Sequence, residues 1–359
     1  MTKGYLVLET GESFVGEWLG ADIEAEGEVI FNTSMTGYQE MLTDPSYQGQ
    51  ILTFTYPTIG SYGINVHDDQ SNDIAVSAVI INDVCDEPSH YQSTTTISEQ
   101  LKKSNIPGLV NIDTRSLVAT IKKYKTVKGT ITKQEGYTNN NWKSKDSIEL
   151  VSKVSVKAPE VYGDGDHHVV ILDFGYKKSL LQVLLKEKCK VTIVPYNTPF
   201  EQINSLHPDG ILISNGPGNP EELNGVLSTI KRLTQHYPTL GISLGHQLIA
   251  LAYGAKTERL SFGHRGNYPV KQMETKKVYI TSQNHGYAVI DNSIDSNEFQ
   301  VWFRNVNDKS VEGIKHIHLP IQSVQFHPEA HPGPSDTEYI FADFMQQVIS
   351  SGGKEYVEA

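Results

Sequence analysis

Gly241-Ile242-Ser243-Leu244-Gly245-His246-Gln247 has the spacing G-x-S-x-G. In that pattern a strand turns sharply into a helix, and the central side chain is presented at the end of the strand as a candidate nucleophile. Gly241 and Gly245 keep the turn free of side chains that would obstruct it. Either Ser243 is a working serine nucleophile or it stands where another nucleophile belongs.

The flanking sequence supplies the rest of an α/β sheet. His168–Gly175, HVVILDFG, is a continuous apolar run ending in glycine, as suits a strand buried on both faces. A helical segment follows with Leu180, Val183 and Leu184 on one face. Strand KVTIVPY (190–196), helix FEQINSLH (200–207), strand GILISNGPG (210–218), helix EELNGVLSTIKRL (221–233) and strand TLGIS (239–243) continue the alternation. Strands alternating with helices imply a parallel sheet with right-handed crossovers. Ligands of such sheets bind at the carboxyl ends of the strands, where the Asn215–Gly218 loop and Ser243 both fall.

Upstream the texture is β-rich. GYLVLETGESFVGEWLG (4–20) reads as two strands around the Thr10-Gly11 turn, and GEVIFNTS (27–34), QILTFTYP (50–57) and DIAVSAVIIND (73–83) are further runs of strand length. Residues 96–124 carry a helical period in their first and last parts. Residues 136–166 are polar, which puts the domain linkage there, near Val161–His167. The expected domains are 1–160, β-rich, and 161–359, α/β.

Composition narrows the function classes. The 359 residues are 38% hydrophobic and 20% charged, enough for two cored domains. A formal net charge of -12 argues against nucleic acid as a partner, which requires a basic face. Cys85 and Cys189 are too few and too far apart for a disulfide framework, so a reduced, cytoplasmic protein is expected. No secretory signal is visible, and no run approaches the roughly 18 apolar residues of a membrane span, so no membrane role is expected.

Two other stretches carry chemistry. In SNGPGNP (214–220), Gly216 and Gly218 leave backbone N–H groups open to a ligand or a developing oxyanion, although the same residues serve any strand-to-helix turn. In VQFHPEAHPGP (324–334), an apolar run delivers His327 and Glu329, the base half of a triad if the carboxylate orients the imidazole. By themselves these two residues read equally as a surface turn with an unrelated acid. With Ser243 they give the order nucleophile, His, acid, whereas an α/β-hydrolase runs nucleophile, acid, His.

In that order, these motifs resemble the class I (triad) glutamine amidotransferases, whose nucleophile segment is G-x-C-x-G-x-Q. FNTSMTGYQEMLTDPSY (31–47), NIDTR (111–115) and QNHGYAV (283–289) narrow the resemblance to the small subunit of carbamoyl-phosphate synthetase, over essentially the whole chain. The resemblance implies a β-rich N-terminal domain that contacts a large subunit, followed by a glutaminase domain with a mainly parallel sheet flanked by helices. It implies hydrolysis of glutamine to glutamate, with ammonia passed to the large subunit for carbamoyl phosphate synthesis in arginine or pyrimidine biosynthesis. His327 would be general base and acid, Glu329 its orienting acid, and the N–H groups of Gly218 and Leu244 the oxyanion hole. Ser46, Gly216, Gln247, Asn284, Gly286 and Tyr287 fall at glutamine-binding positions. No metal or cofactor is expected in this chain, because no G-x-x-x-x-G-K-[ST] loop is present; ATP and magnesium are expected on the large subunit.

The departure from the family pattern is Ser243, where its working members carry cysteine. Neither Cys85, in the other domain, nor Cys189, between a helix and a strand, can supply the thiol. Three readings follow: a glutaminase subunit silenced by a cysteine-to-serine replacement of the kind made to trap glutamine, a natural non-hydrolysing assembly subunit of an ammonia-fed synthetase, and a serine hydrolase.

Overall fold

A computed structural model describes residues 2–139, 142 and 146–351. The chain divides into two compact units, Met1–Lys145 and Asp146–Ala359.

The first unit contains β1 (Lys3–Leu8), β2 (Ser13–Gly20), β3 (Ala25–Asn32), α1 (Tyr38–Thr43), β4 (Gln50–Phe54), the short β5 (Thr58–Ile59), β6 (Ala78–Ile80), the short β7 (Asp83–Val84), α2 (Ile97–Lys103), β8 (Pro107–Val110), α3 (Thr114–Tyr124) and β9 (Lys128–Thr132). The order β1-β2-β8-β6-β4-β3-β9 closes into a barrel. Leu6, Leu8, Val29, Ile51, Ile80, Leu109 and Ile131 fill one core of this unit. The anticipated hairpin is present, with Leu6 opposite Phe14. The run 73–83 forms strand over Ala78–Ile80 and again at Asp83, where β7 begins.

The second unit begins with α4 (Ser147–Val154) and β10 (Glu160–Tyr162). The division therefore falls earlier than the expected 160/161. Residues 146–160 belong with the second unit because β10 pairs with a strand of its sheet and the start of α4 hydrogen-bonds to the loop after another. There follow β11 (His167–Asp173), α5 (Lys178–Lys186), β12 (Cys189–Pro195), α6 (Phe200–Asn204), β13 (Gly210–Ile213), a 3-10 segment Pro220–Val226, α7 (Leu227–His236), β14 (Thr239–Ile242) and α8 (Leu244–Ala252). The expected single helix over 221–233 is split, because Leu223 adopts non-helical angles (φ -96, ψ 25). The chain continues with β15 (Thr257–Gln272), β16 (Val278–Val289), β17 (Phe299–Asn305), β18 (Val311–His316), β19 (Ile321–Val324) and α9 (Tyr339–Ser351).

Strands β12-β11-β13-β14-β19 are mutually parallel, the expected core of the sheet. Beyond β19 the sheet runs on into an antiparallel half, β18-β17-β15-β16. Side chains two apart share a face of a strand, and the core follows that rule. Val170, Leu172, Ile211 and Ile213 pack with Ile230, Leu233, Leu248 and Ile249 of α7 and α8. Val169, Ile171, Leu212, Leu240 and Ile242 pack with Leu180, Leu184, Phe341 and Phe344 of α5 and α9. Among the described residues no helix is long and apolar enough to cross a membrane.

The junction of β14 and α8 is unusually close. A Cβ on Gly245 would meet the Ile213 carbonyl oxygen at 2.1 Å, and one on Gly241 would meet the Gly245 carbonyl oxygen at 2.9 Å. Backbone atoms of β13 cannot yield as a side-chain tip would, so Gly245→Ala should destabilise the second unit by about 2–3 kcal/mol. Urea unfolding followed by tryptophan fluorescence would measure this through the shift in midpoint.

Candidate active site

Ser243 lies between β14 and α8 at φ 53, ψ -105, a backbone conformation that a non-glycine residue adopts only under strong local constraint. The constraint is visible on both sides. The Ser243 N–H donates to the Val324 carbonyl on neighbouring β19 (2.8 Å), and the Gly245 N–H donates to the Ser214 carbonyl (3.1 Å). The elbow is pinned to two adjacent strand ends. Leu244 opens α8, where the first backbone N–H groups have no partner within the helix and the dipole is positive.

β19 runs parallel to β14, with Val324 beside Ile242. Three residues on, the chain presents His327 at the same end of the sheet as Ser243. The His327 N–H donates to the Ser282 carbonyl (2.9 Å). His327 Nδ1 meets Glu329 Oε1 at 2.7 Å, and both side chains are buried. The pair sits in a turn rather than on an extended segment, closed by the Ala330 N–H donating to the His327 carbonyl (3.1 Å). His327 Nε2 is buried and has no hydrogen-bond partner among the described residues. With the proton on Nδ1 held by the carboxylate, Nε2 keeps its lone pair and can act as a base.

Glu329 is held by a residue that the sequence reading passed over. Lys177 is 1% exposed, and its Nζ lies 3.1 Å from Glu329 Oε1 and donates to the Ala330 carbonyl. Burial by itself would raise the Glu329 pKa, but the Lys177 and His327 charges outweigh it and hold the carboxyl down to about 2. In the sequence, Lys177-Lys178 reads as the solvated start of a helix. The available signal was position, because the pair directly follows a strand end on the ligand side of the sheet.

The turn that carries Lys177 also shapes the oxyanion loop. Asp173 is fully buried and accepts N–H bonds from Val156 (2.7 Å), Gly175 (2.8 Å) and Tyr176 (2.8 Å). The Phe174 N–H donates to Ser214 Oγ (2.9 Å), and Asn215 Nδ2 donates to the Gly175 carbonyl (2.9 Å). Gly216 packs so close that a Cβ there would meet the Phe174 carbonyl oxygen at 2.3 Å. Gly218 has φ +100 and faces Ser147, whose Cβ a side chain would meet at 2.6 Å. Ser147 Oγ accepts from the Asn219 N–H (2.8 Å) and donates to Glu222 (2.6 Å). Ser147 and Asp173 are thus further residues of the site that motif reading missed, while Asn215 lies in the loop it had marked.

The expected glutamine-binding residues divide between the units. Gln247, Asn284, Gly286 and Tyr287 come together around α8 and β16. Gln247 Nε2 donates to the Tyr287 carbonyl (2.8 Å) and to Gln325 Oε1 (2.9 Å). Asn284 is buried, and its Nδ2 has no partner among the described residues. Ser46 belongs to the first unit, in the 3-10 turn Pro45–Tyr47, where its N–H donates to Asp44 Oδ1 (2.9 Å). Cys189 opens β12 in the core, and burial pushes its thiol up to about 11, while Cys85 lies in the first unit.

A strained elbow, a buried His–Glu pair and a glycine-lined loop at the ends of parallel strands define a class I glutamine amidotransferase domain. The family model for that class matches residues 170–347, and the model for the carbamoyl-phosphate synthase small chain domain matches residues 6–131. The chain is 47% identical over 352 residues to the carbamoyl phosphate synthase arginine-specific small chain of Halalkalibacterium halodurans, covering 98% of each chain. It is 48% identical over 355 residues to the protein of the same name from Bacillus subtilis, covering 97% of each. It is 46% identical over 361 residues to the carbamoyl phosphate synthase small chain of Listeria monocytogenes, covering 99% of this chain and 98% of that one. The chain belongs to the family of carbamoyl phosphate synthase small chains, the glutaminase subunits of that synthase.

The low pKa of Glu329 has a direction that acid unfolding can read. A depressed carboxyl contributes stability that is fully present above its ordinary value of 4.5 and is lost as pH falls towards about 2. Glu329→Gln should therefore flatten the fall in stability between those limits, and should lower stability at pH 7, where it leaves Lys177 buried without its counter-ion. Thermal melts across that pH range compare the two chains.

Proposed function

We propose that this chain binds glutamine at the Ser243–His327–Glu329 site, with Ser243 in the place of the nucleophilic thiol, and that it is silent in hydrolysis for that reason. The observation that carries this reading is the intact surround: the strained elbow and the His327–Glu329–Lys177 set are all in place.

With a thiol at 243, the chemistry follows from these positions. A cysteine pKa near 8.5 falls further beside an imidazole and a helix N-terminus, so thiolate is available at neutral pH to attack the glutamine side-chain amide. The oxyanion would form against the N–H groups of Gly218 and Leu244. His327 would hand a proton to the departing ammonia, then take one from the water that cleaves the thioester. A serine hydroxyl must lose its proton within the transition state itself, in a site shaped around a larger sulfur. Binding does not depend on that step, since Gln247, Asn284, Gly286 and Tyr287 would hold the substrate.

The ammonia would pass to a large synthase subunit, which would bind ATP and magnesium and make carbamoyl phosphate. The first unit would supply part of the contact with it. The names of the two arginine-specific relatives favour the arginine route.

Calorimetry of the chain as it stands should register glutamine binding, while an ammonia assay should register no turnover. Ser243→Cys should raise glutaminase activity by roughly three powers of ten or more, further increased by the large subunit. His327→Asn added to it should abolish the gain. If Ser243→Cys binds glutamine yet stays silent with the large subunit present, the site is not a disabled glutaminase, and the non-hydrolysing assembly role takes its place. Strong His327-dependent labelling of Ser243 by a fluorophosphonate would instead make it a serine hydrolase.

A further inference from the structure

Next to the expected glutamine site lies a buried charged cluster to which no motif assigns a role. Glu312 on β18 is fully buried, and a carboxylate in such a place requires partners. Its Oε1 accepts from Asn305 Nδ2 (3.1 Å) and lies 3.3 Å from His264 Nδ1. The other ring nitrogen of His264, Nε2, meets Asp308 Oδ2 at 2.8 Å. Both nitrogens of His264 therefore face carboxylates, the arrangement that suits an imidazolium. Burial alone would lower the His264 pKa, but Glu312 and Asp308 outweigh it and raise it.

His264 sits on β15 directly opposite His285 on β16. The two rings meet edge to face, with centroids 4.9 Å apart and planes at 85°. Tyr268 covers the His264 ring at 4.8 Å. Burial, and then the His264 charge, keep His285 neutral, with its pKa well below the ordinary value. A neutral imidazole has one N–H. Nδ1 meets the Tyr287 carbonyl (2.8 Å) and Nε2 meets Gln283 Oε1 (2.7 Å), two acceptors of which the single N–H serves one. The Tyr287 carbonyl is the same oxygen that accepts from Gln247 Nε2.

The ligand atoms of His264, His285 and Glu312 all lie within 4.8 Å of one another, close enough to suggest a metal centre. Three of the four ring nitrogens already have close partners, however: His264 Nε2 meets Asp308, and those of His285 meet the Tyr287 carbonyl and Gln283 Oε1, while His264 Nδ1 faces Glu312 Oε1 at 3.3 Å without a hydrogen bond.

We propose that His264, clamped between Asp308 and Glu312, is a positioning residue for glutamine: it fixes the ring of His285, which fixes the Tyr287 carbonyl and through it the Gln247 amide. This rests on the reading of Gln247 and the Asn284–Tyr287 stretch as the glutamine site. The relay orients groups that hold substrate and touches none of the reacting atoms, so its loss weakens binding without slowing chemistry.

Glutamine titration by calorimetry on the full chain tests this with two variants. His264→Gln removes the cation, and Asp308→Asn weakens its clamp from the solvent side, where the Asp308 side chain is 45% exposed and the fold is not at stake. The expected result is binding by the unsubstituted chain, a roughly tenfold or greater loss in His264→Gln, and a smaller loss in Asp308→Asn. In a Ser243→Cys background with the large subunit present, His264→Gln should raise KM by a similar factor with kcat nearly unchanged, whereas a general loosening of the unit would lower kcat as well. Binding undiminished in both variants, or a fall in kcat matching the rise in KM, would overturn the inference alone. No binding by the unsubstituted chain would overturn the site reading and the inference with it. Stoichiometric zinc uptake that is lost in His264→Gln would overturn it in favour of a metal centre.

Discussion

The buried ion pair between Lys177 and Glu329 is the contact on which the geometry of the site depends. A carboxylate with no solvent exposure would ordinarily be neutral, and a neutral acid could not hold the His327 tautomer that leaves Nε2 free to act as a base. The ammonium that prevents this comes from the end of β11, at the opening of the sheet, and the acid comes from beyond β19, at its close. Removing either partner would leave the other charge buried and unpaired, at a cost of about 3–5 kcal/mol. The pair is thus a weak argument for stability in itself, and a strong one for the relative placement of two segments some 150 residues apart, as its separation of 152 positions records.

The turn that presents Lys177 also fixes the other half of the site. Three N–H groups converge on Asp173, and the resulting loop offers its backbone to Ser214, Asn215 and Gly216. The His327–Glu329 pair and the Asn215–Gly218 loop therefore share one mechanical origin. The Ser243 backbone, held at positive φ by strand neighbours on both sides, needs no help from the side chain to keep its conformation.

The parallel core was legible because its strands are continuous apolar runs that end in glycine or asparagine, and because the helices between them show one apolar face. The His327–Glu329 pair and the elbow at Ser243 were legible because they lie in short, ordered motifs. Lys177, Ser147 and Asp173 were not, since each acts through a partner far along the chain and looks locally like an ordinary cap or surface residue. The antiparallel half of the sheet was also hidden: β15 runs sixteen residues with exposed and buried positions mixed, and its register shifts between Arg259 and His264. The split at Leu223 escaped notice because helical periodicity continues across it. The unit division was misplaced because polar composition marks 136–166 as a whole and cannot say which end of that stretch is anchored.

That last point bears on how the molecule can be taken apart. The fifteen residues from Asp146 to Glu160 look like a tether, yet they are structural members of the glutaminase unit. Ser147 braces the Gly218–Asn219 peptide, and the Val156 N–H is one of the three on Asp173. A fragment begun at Val161 would keep every motif that identifies the family and still have lost two of the struts behind its oxyanion loop. Modularity in this chain is a property of the fold's contacts and not of its signature sequences, and the second unit begins before the first strand of its parallel core.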